Sequence, residues 1–256
     1  MPEIPDLNIF RRNLEKRLLG KQLTRIDVLV PRKLKVPESV LKDKLQGQVL
    51  TAVQREGKEL YFLFQNNRIL SVHLMLHGTL YWYEGKNENR FTIAELLFSD
   101  GTGLAITDFQ KSVMLKLDPE SSKAPDALAL PDGYLLKTLK GLTKPIKSVL
   151  MDQKVIQGIG NAYVDEILYA AKISPFSKAN KIPGGKVAEL TKAIKTVLTE
   201  AEKHITKRFP DTITEKERDF LQVHLPRQKQ TRSGETILKG EIDARKTYYV
   251  DKQELY

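Results

Sequence analysis

The sequence predicts an α+β protein in which an N-terminal helix and a β-rich first half precede a helical second half that ends in a β-hairpin. Three observations indicate this class: an amphipathic segment at residues 6–19, β-rich runs up to residue 107, and helical periodicity at residues 135–205. A polar, proline-containing stretch at residues 119–132 is typical of a linker between the halves. The chain has no evident internal repeat.

Each predicted element follows from its own local pattern. The first helix places apolar residues on one face, basic residues on the solvated face, and Gly20 at its end. Runs of β-branched and aromatic residues between turn signals predict strands at residues 26–30, 60–64, 80–83, 91–98 and 104–107. Apolar periodicity predicts helices at residues 135–142, 145–154, 162–172 and 185–205. The tail at residues 228–256 is expected to be a hairpin region with turns at residues 233–235 and 239–241.

Composition narrows the class of partner. The 256 residues, 41% of them hydrophobic, suffice for one large or two modest domains. A net charge of +10 favours a polyanionic partner, although an ordinary basic protein has the same balance. The absence of cysteine excludes disulfides and thiolate metal sites. No apolar stretch is long enough to span a membrane and no signal-peptide pattern precedes the first helix, so we expect a cytoplasmic, nucleoid-associated protein.

The N-terminus carries the first candidate for chemistry. Removal of Met1 would expose Pro2 as a secondary amine, and an α-amino group with a pKa of ~7.7–8 is partly neutral near physiological pH. Such an amine can attack a sugar or carbonyl carbon and form a Schiff base, while Glu3 moves the protons. A lone proline near a helix start is more often only a conformational choice.

A second candidate is the turn Gln157-Gly158-Ile159-Gly160-Asn161 between two predicted helices. Its glycines allow a ligand to approach the backbone, and successive amides form an anion-binding nest. Asn161 suits the N-cap of the next helix and can donate to a phosphate. Taken alone, such a turn favours a simple connection between two helices that binds no ligand.

The residues around this turn are distinctive. The segment Leu150-Met151-Asp152-Gln153-Lys154 precedes it, and YVDEILYAAKISP follows at residues 163–175. Together they resemble the helix-two-turns-helix motif of the formamidopyrimidine-DNA glycosylase/endonuclease VIII family. The opening PEIPDL at residues 2–7 resembles that family's N-terminal signature, and residues 54–58 resemble the hairpin turn that bears its catalytic lysine. Residues 73–80 and 107–108 correspond to family strands, so the resemblance covers essentially the whole chain.

The resemblance implies a domain organisation and an activity. It implies an N-terminal helix with a β-sandwich at residues 1–131, a helix-two-turns-helix domain at residues 132–222 and a hairpin at residues 223–256. It further implies a monomeric DNA glycosylase and abasic-site lyase of base excision repair, acting on double-stranded DNA with damaged bases or abasic sites. The strand would be nicked by β- and δ-elimination, without an organic cofactor.

The same resemblance assigns roles to individual residues. Pro2 would be the nucleophile, Glu3 the acid, and Lys58 a phosphate contact that assists proton transfer. The expected DNA contacts are made by Lys154, Gly158, Gly160, Asn161 and Arg245.

The tail departs from the family pattern. Family members usually end in a four-cysteine zinc finger, and the cysteine positions are occupied here by Gln230, Ser233, Val250 and Gln253, which do not form a zinc ligand set. Residues 243–248 still resemble the finger hairpin, with Arg245 at the arginine position. We therefore expect a zincless finger that is held by packing and binds no zinc.

A second departure concerns the groups that fill the gap left by a flipped base. Related 8-oxoguanine enzymes place Met, Arg and Phe there, and the matching residues here are Leu76, Gln110 and Ser112. Leu76 can act as an apolar wedge, whereas Gln110 would pair only weakly with an orphaned base and Ser112 cannot wedge. If the alignment slips in this loop, Lys111 or Phe109 takes part instead. The sequence leaves the preferred lesion and opposite base open.

Two other functions fit the same scaffold. One is a nucleic-acid-binding protein without glycosylase activity, since the helix-two-turns-helix motif also occurs in ribosomal proteins. The other is a lyase restricted to abasic sites. The combination of Pro2, Glu3 and Lys58 favours the enzyme over a pure binder, because a protein that only binds has no need of all three.

Overall fold

The computed structural model describes all residues from Met1 to Tyr256, which form two compact units. The first unit contains Met1–Ser121 and Thr206–Lys216, and the second contains Ser122–Ile205 and Glu217–Tyr256. The chain thus returns briefly to the first unit before it enters the tail. The domain bounds given in the sequence analysis follow the functional parts of the family and not the compactness of the chain. The two compact units therefore do not test these bounds, which stay a prediction.

The first unit is a β-sandwich with two helices, α1 (Ile4–Leu18) and α2 (Glu38–Leu45). Its strands form two four-stranded sheets in which every neighbouring pair is antiparallel. One sheet has the order β1 (Leu23–Val28), β6 (Thr92–Phe98), β7 (Thr102–Thr107), β5 (Thr79–Glu84). The other has the order β2 (Leu50–Glu56), β3 (Glu59–Phe64), β4 (Ile69–His73), β8 (Met114–Leu117).

Burial in this unit follows the sequence pattern. In β3, Leu60, Phe62 and Phe64 are buried while the residues between them are partly exposed, as a period of two requires. The apolar face of α1 enters the same core, with Leu14 and Leu18 fully inaccessible. Each such side chain contributes about 1.5–3 kcal/mol through burial, which fixes the helix and hence the start of the chain.

The second unit is helical. It contains α3 (Tyr134–Leu139), α4 (Ile146–Met151), α5 (Asn161–Ala170) and α6 (Gly184–Arg208), whose last residues belong to the first unit. Strands β9 (Leu238–Ile242) and β10 (Arg245–Tyr249) form an antiparallel hairpin in the tail. The predicted α+β class, with a β-sandwich, a helical part and a terminal hairpin, is confirmed. None of the helices has the length and apolar character needed to cross a membrane.

The turn predicted at residues 239–241 is wrong, because these residues lie inside β9. The hairpin turns at Asp243 and Ala244, which both have left-handed backbone angles. Gly240 serves packing instead, since a Cβ there would lie 2.8 Å from the ring of Phe176. Gly240 therefore allows the strand to approach Phe176 closely, and the chain does not reverse its direction there.

The assignment of residues 73–80 to strand is also only partly right. Strand β4 ends at His73 and β5 begins at Thr79, with a turn between them. The turn needs Gly78, because a Cβ there would overlap with the carbonyl oxygen of Leu74, which accepts the Gly78 N–H. The sequence also missed α2, β2, β4 and β8, four short elements.

Candidate functional site

The start of α1 holds Pro2 and Glu3 in a buried, fixed position. Glu3 is the N-cap of the helix, and its N–H donates to the Asp6 carboxylate at 2.8 Å. The Glu3 side chain in turn accepts the backbone N–H of Asp6, which completes a capping box. Glu3 is 4% exposed and Asp6 is inaccessible, so the carboxylate adjoining Pro2 has one defined location.

Lys58 lies in a two-residue turn between β2 and β3, within the hairpin turn that the resemblance implied at residues 54–58. Glu56 pairs with Glu59, which leaves Gly57 and Lys58 as the loop. Gly57 adopts φ 53°, the left-handed conformation that such hairpins demand and that glycine adopts at little cost.

Arg55 connects this turn to the start of the chain. Its Nε donates to Asn8 Oδ1 in α1 at 2.6 Å, and its Nη1 donates to the Gly57 carbonyl at 3.0 Å. Because the guanidinium is planar and carries its donors in a fixed fork, these two bonds set the Lys58 turn against the first turns of α1. The structure therefore brings the predicted catalytic residues to neighbouring elements of one unit, and Arg55 was not foreseen in this role.

An acid–base network surrounds the base of this turn. Glu59 accepts hydrogen bonds from the Ser71 hydroxyl and, at 2.6 Å, from Lys116 Nζ. Burial lowers the pKa of His73, and the Lys58 and Lys116 ammonium groups lower it further, while Glu59 opposes them. Burial and the nearby carboxylates of Glu59 and Glu56 raise the pKa of Tyr61 to about 12. No local motif in the sequence revealed this network, because its members come from three strands.

The three gap-filling candidates occupy two loops of the first unit. Leu76 is 57% exposed, Gln110 is exposed, and Ser112 is half-buried. The Asp108 carboxylate fixes the second loop by accepting the N–H groups of Gln110 and Ser112 at 2.9 and 2.7 Å. Of the three side chains, only Leu76 presents a large apolar group to solvent.

In the second unit, Gln153 holds the glycine-containing turn in shape. Its Nε2 donates to the carbonyls of Met151 and Ile159 at 2.9 and 3.0 Å, and its Oε1 accepts the Gly158 N–H at 2.8 Å. Gly158 has φ 96°, which other residues rarely adopt. Lys154 is exposed on this loop and forms no ion pair.

The predicted linker supports the same turn. Residues 119–132 contain no helix or strand, but Gln157 Nε2 donates to the Ala124 carbonyl at 2.6 Å. The Gln157 carbonyl accepts the Ala127 N–H at 3.1 Å. The stretch is thus part of the loop's support as well as a connection.

The N-cap of α5 is Gly160, and Asn161 is the first helical residue, so the predicted N-cap role of Asn161 is wrong. Glycine at the cap leaves the asparagine side chain available for other contacts. Asn161 Nδ2 donates to the Lys246 carbonyl in the hairpin at 3.2 Å, and Oδ1 is buried without a partner. Arg245, one residue earlier in β10, is exposed and makes no ion pair.

The positions of the absent cysteines carry hydrogen bonds and an apolar side chain. Gln253 Oε1 accepts the Val250 N–H at 2.8 Å, and Gln253 Nε2 donates to the Ile173 carbonyl at 2.8 Å. The Ser233 hydroxyl donates to the Glu235 carboxylate at 3.0 Å. The backbone of Gln230 forms an isolated antiparallel β-bridge with Thr236. The structure contains no group of three or more histidine, cysteine, aspartate or glutamate residues placed to hold a metal.

The fold and these residues match known proteins along most of the chain. A family model for the formamidopyrimidine-DNA glycosylase N-terminal domain matches residues 1–114, and one for the H2TH domain matches residues 123–210. A formamidopyrimidine-DNA glycosylase of Mycoplasma mobile is 31% identical over 269 residues, with 98% of each chain covered. The chain belongs to this family.

Other formamidopyrimidine-DNA glycosylases agree with this assignment. The Enterococcus faecalis protein is 36% identical over 214 residues, covering 78% of this chain and 76% of that one. A Lactococcus lactis family member, solved with abasic-site DNA, has a TM-score of 0.87 at 26% identity, with 97% and 98% of the two chains covered. The predicted function of this chain is confirmed: it is a bifunctional DNA glycosylase and abasic-site lyase of base excision repair.

Proposed function

We propose that this enzyme cleaves the glycosidic bond with the nitrogen of Pro2, freed by removal of Met1. The observation that carries this assignment is the Arg55 bridge, which ties the Lys58 turn to the helix that begins beside Pro2 and Glu3. In the first step the Pro2 nitrogen bonds to C1′ of the deoxyribose, and the bonding electrons leave with the damaged base. Loss of the Pro2 N–H proton and cleavage of the bond between C1′ and the ring oxygen then give the iminium, the covalent intermediate from which β- and δ-elimination nick the strand.

Glu3 acts as the acid in this scheme. Its carboxyl group protonates the ring oxygen of the sugar as the ring opens, which lets the C1′–nitrogen double bond form. The capping box supports the role because it confines the carboxyl group next to the nucleophile. The positive end of the α1 dipole also favours a neutral Pro2 amine over its protonated form.

Lys58 contacts a phosphate beside the lesion and assists the proton transfers. Lys58 is half-buried, and its ammonium group, like that of Lys116, acts electrostatically on His73. Positioning of this kind is the main contribution that a fixed side chain makes to a reaction between two bound groups.

The second unit grips double-stranded DNA through sequence-independent contacts to the phosphates. Lys154 and Arg245 supply exposed, unpaired cations, and the turn at Gly158 and Gly160 lets the backbone beside Asn161 approach a phosphate closely. Release of counterions from the DNA makes such binding strongly dependent on salt. The net charge of +10 supports the same partner and a cytoplasmic, nucleoid-associated location.

The C-terminal hairpin acts as a finger without zinc. Its support comes from the apolar cluster of Val223, Ile237, Tyr248 and Val250, and from the hydrogen bonds of Gln253. These contacts position Arg245 without a metal.

Borohydride trapping tests the assignment of the nucleophile. Intact-mass measurement should find Pro2 at the N-terminus, and borohydride should trap the enzyme covalently on abasic-site DNA. Pro2→Gly should sharply reduce the trapped fraction, and Glu3→Gln should impair base excision. Lys58→Ala should slow the reaction by about 10²-fold or more, whereas Lys33→Ala, at an exposed lysine of the same unit, should not. Full activity of protein that retains Met1 would overturn the proposal.

A further inference from the structure

Exposed aromatic residues are concentrated at one edge of the first unit. Tyr81, Phe91 and Phe109 are 39%, 61% and 56% exposed, and Leu76 beside them is 57% exposed. These four make up nearly half of the large apolar side chains that the whole chain exposes. Contiguous exposed apolar groups of this size mark binding sites in soluble proteins.

The three aromatic residues line one open cavity. The cavity has a volume of about 670 Å³, and His77, Arg90 and Asp108 contribute to its wall. The His77 and Phe109 rings contact each other with centroids 4.6 Å apart and planes inclined by 50°. Its volume lies within the range of small-ligand sites, and its walls offer flat aromatic faces in several orientations.

The loops around this cavity are held in costly conformations. Phe91 has φ 60°, Met75 has φ 53° and Lys111 has φ 53°, all in the left-handed region that bulky side chains rarely adopt. Such angles cost about 1–3 kcal/mol each and persist where the surroundings enforce them, most often at functional sites. They occur here in all three loops that approach the cavity.

Hydrogen bonds enforce these conformations. The Asp108 N–H donates to the Phe91 carbonyl at 2.9 Å, which places the loop of Phe91 beside the loop of Phe109. Asn87 fixes the first of these loops by accepting the Asn89 N–H at 3.0 Å and donating to Thr92 Oγ1 at 3.2 Å. The aromatic faces are therefore arranged before any ligand binds, which lowers the entropic cost of binding.

We propose that this cavity binds an unpaired nucleobase of the DNA, stacked against Phe91 and Phe109. Every nucleobase has a flat π-face, so aromatic faces bind bases with little regard to sequence. Arg90 is exposed and forms no ion pair, so its guanidinium is available to the phosphate of the same nucleotide. A nucleotide matches both the aromatic faces and this isolated positive charge.

The cavity also adjoins the residues at the gap-filling positions. Leu76 precedes His77 in the chain, and Gln110 follows Phe109, so both flank the His77–Phe109 contact. A base that leaves the stack at the gap would meet these rings directly. This inference rests on the proposed function, and it supplies a binding site for a base that has lost its partner where Gln110 and Ser112 provide little filling.

A single-stranded oligonucleotide that carries 2-aminopurine and no lesion tests the site without chemistry. Stacking on the rings should quench the fluorescence of the wild-type complex. Phe91→Leu and Phe109→Leu should each lose most of the quenching and weaken binding roughly tenfold. Phe109→Tyr, which keeps an aromatic face, should retain both properties. Leu19→Ala removes an equally exposed apolar side chain elsewhere in the unit and serves as the control.

A second arm identifies the base. Duplexes that contain a tetrahydrofuran abasic analogue carry 2-aminopurine either opposite the analogue or next to it, and the position that is quenched shows which base enters the cavity. Borohydride trapping on abasic DNA, measured in parallel, reports the Pro2 chemistry separately. Failed trapping with ring-dependent quenching would reject the Pro2 assignment and keep the base site. Quenching and affinity that are unchanged in both leucine variants would overturn the base site, whatever the trapping shows.

Discussion

Lys147 and Asp165 form an ion pair that water does not reach. Lys147 Nζ lies 2.8 Å from Asp165 Oδ1, and the two side chains are 1% and 0% exposed. Lys147 Nζ also donates to Thr247 Oγ1 at 2.9 Å and to the Lys246 carbonyl at 3.1 Å. The other carboxylate oxygen of Asp165 accepts the Tyr248 N–H at 3.1 Å. One buried pair therefore attaches β10, and with it Arg245, to helices α4 and α5.

Breaking this pair should loosen the hairpin. Lys147→Met takes the ammonium partner from the buried Asp165 carboxylate, which keeps only His224 Nδ1 and the Tyr248 N–H, and loss of one member of a buried ion pair costs about 3–5 kcal/mol of the free energy of unfolding. Chemical denaturation measures the loss, and hydrogen exchange should show increased exchange at Tyr248. Lys144→Met, at an exposed lysine nearby, should stay near wild type. The double variant Lys147→Met/Asp165→Leu should recover much of the loss because it removes both charges of the buried pair. If the single variant were as stable as the wild type, the ion pair would not be what attaches the hairpin to the helices.

The hairpin should bind DNA without zinc. Metal analysis of the purified protein should find no stoichiometric zinc, and chelators should change neither its melting temperature nor its affinity for DNA. Arg245→Ala should weaken binding to all sequences alike and lower the salt slope by about one, as the loss of one phosphate contact requires. Arg227→Ala removes another exposed arginine of the tail and is the matched control. Tightly bound zinc would contradict the expectation of a finger without metal. An unchanged affinity of Arg245→Ala for DNA would contradict the proposed phosphate contact.

Lesion choice should follow the weak filling of the gap. Flipping a base costs a few kcal/mol, least for damaged, mismatched or unpaired bases. We therefore expect faster processing of abasic sites and easily extruded lesions than of 8-oxoguanine opposite cytosine, and weak discrimination among opposite bases. Single-turnover rates for each lesion opposite all four bases measure this.

Substitution toward the usual residues provides the matched comparison. Gln110→Arg/Ser112→Phe should selectively raise excision of 8-oxoguanine opposite cytosine. Their backbone N–H bonds to Asp108 remain available, so the loop should keep its shape. Fast wild-type excision of 8-oxoguanine, confined to cytosine partners, would show that other side chains fill the gap.

Stability should fall in mild acid because of His73. Burial lowers the pKa of His73 from its ordinary value of 6.5, and in its neutral form Nδ1 accepts the Met75 N–H at 3.0 Å. The unfolded chain therefore takes up the proton first on acidification. The contribution of His73 to stability is present above about pH 6.5 and is lost as the pH falls toward the lower pKa of the folded state.

Thermal melting at about pH 7.5 and about pH 5.5 measures this loss. His73→Asn should reduce the difference in melting temperature between the two conditions, whereas His204→Asn, at an exposed position, should keep the wild-type difference. An unchanged difference in the His73 variant would assign the acid sensitivity to other groups.

The sequence predicted those parts of the molecule whose causes are local. The amphipathic period of α1, the two-residue turn at Gly57 and Lys58, and the long flanks of the Gly158–Gly160 turn each identify their element from a short stretch of chain. The same stretches carried the resemblance to the glycosylase family, which the comparisons confirmed. The predictions were wrong where a residue type suits two local roles. Gly240 was predicted to lie in a turn but packs against the ring of Phe176, and Asn161 was predicted to be an N-cap but is the first helical residue after it.

Only the tertiary structure decided how distant residues combine. Arg55 reaches Asn8 across 47 positions of the chain, and Lys147 reaches Thr247 across 100, distances over which no local pattern extends. The cavity of Phe91 and Phe109 depends on three loops that the two sheets bring to one edge. Local pattern sets which segments become helices and strands, because backbone hydrogen bonds and side-chain periodicity act over a few residues. Burial, ion pairing and ring contacts depend on which segments pack together, and that is set by the fold as a whole.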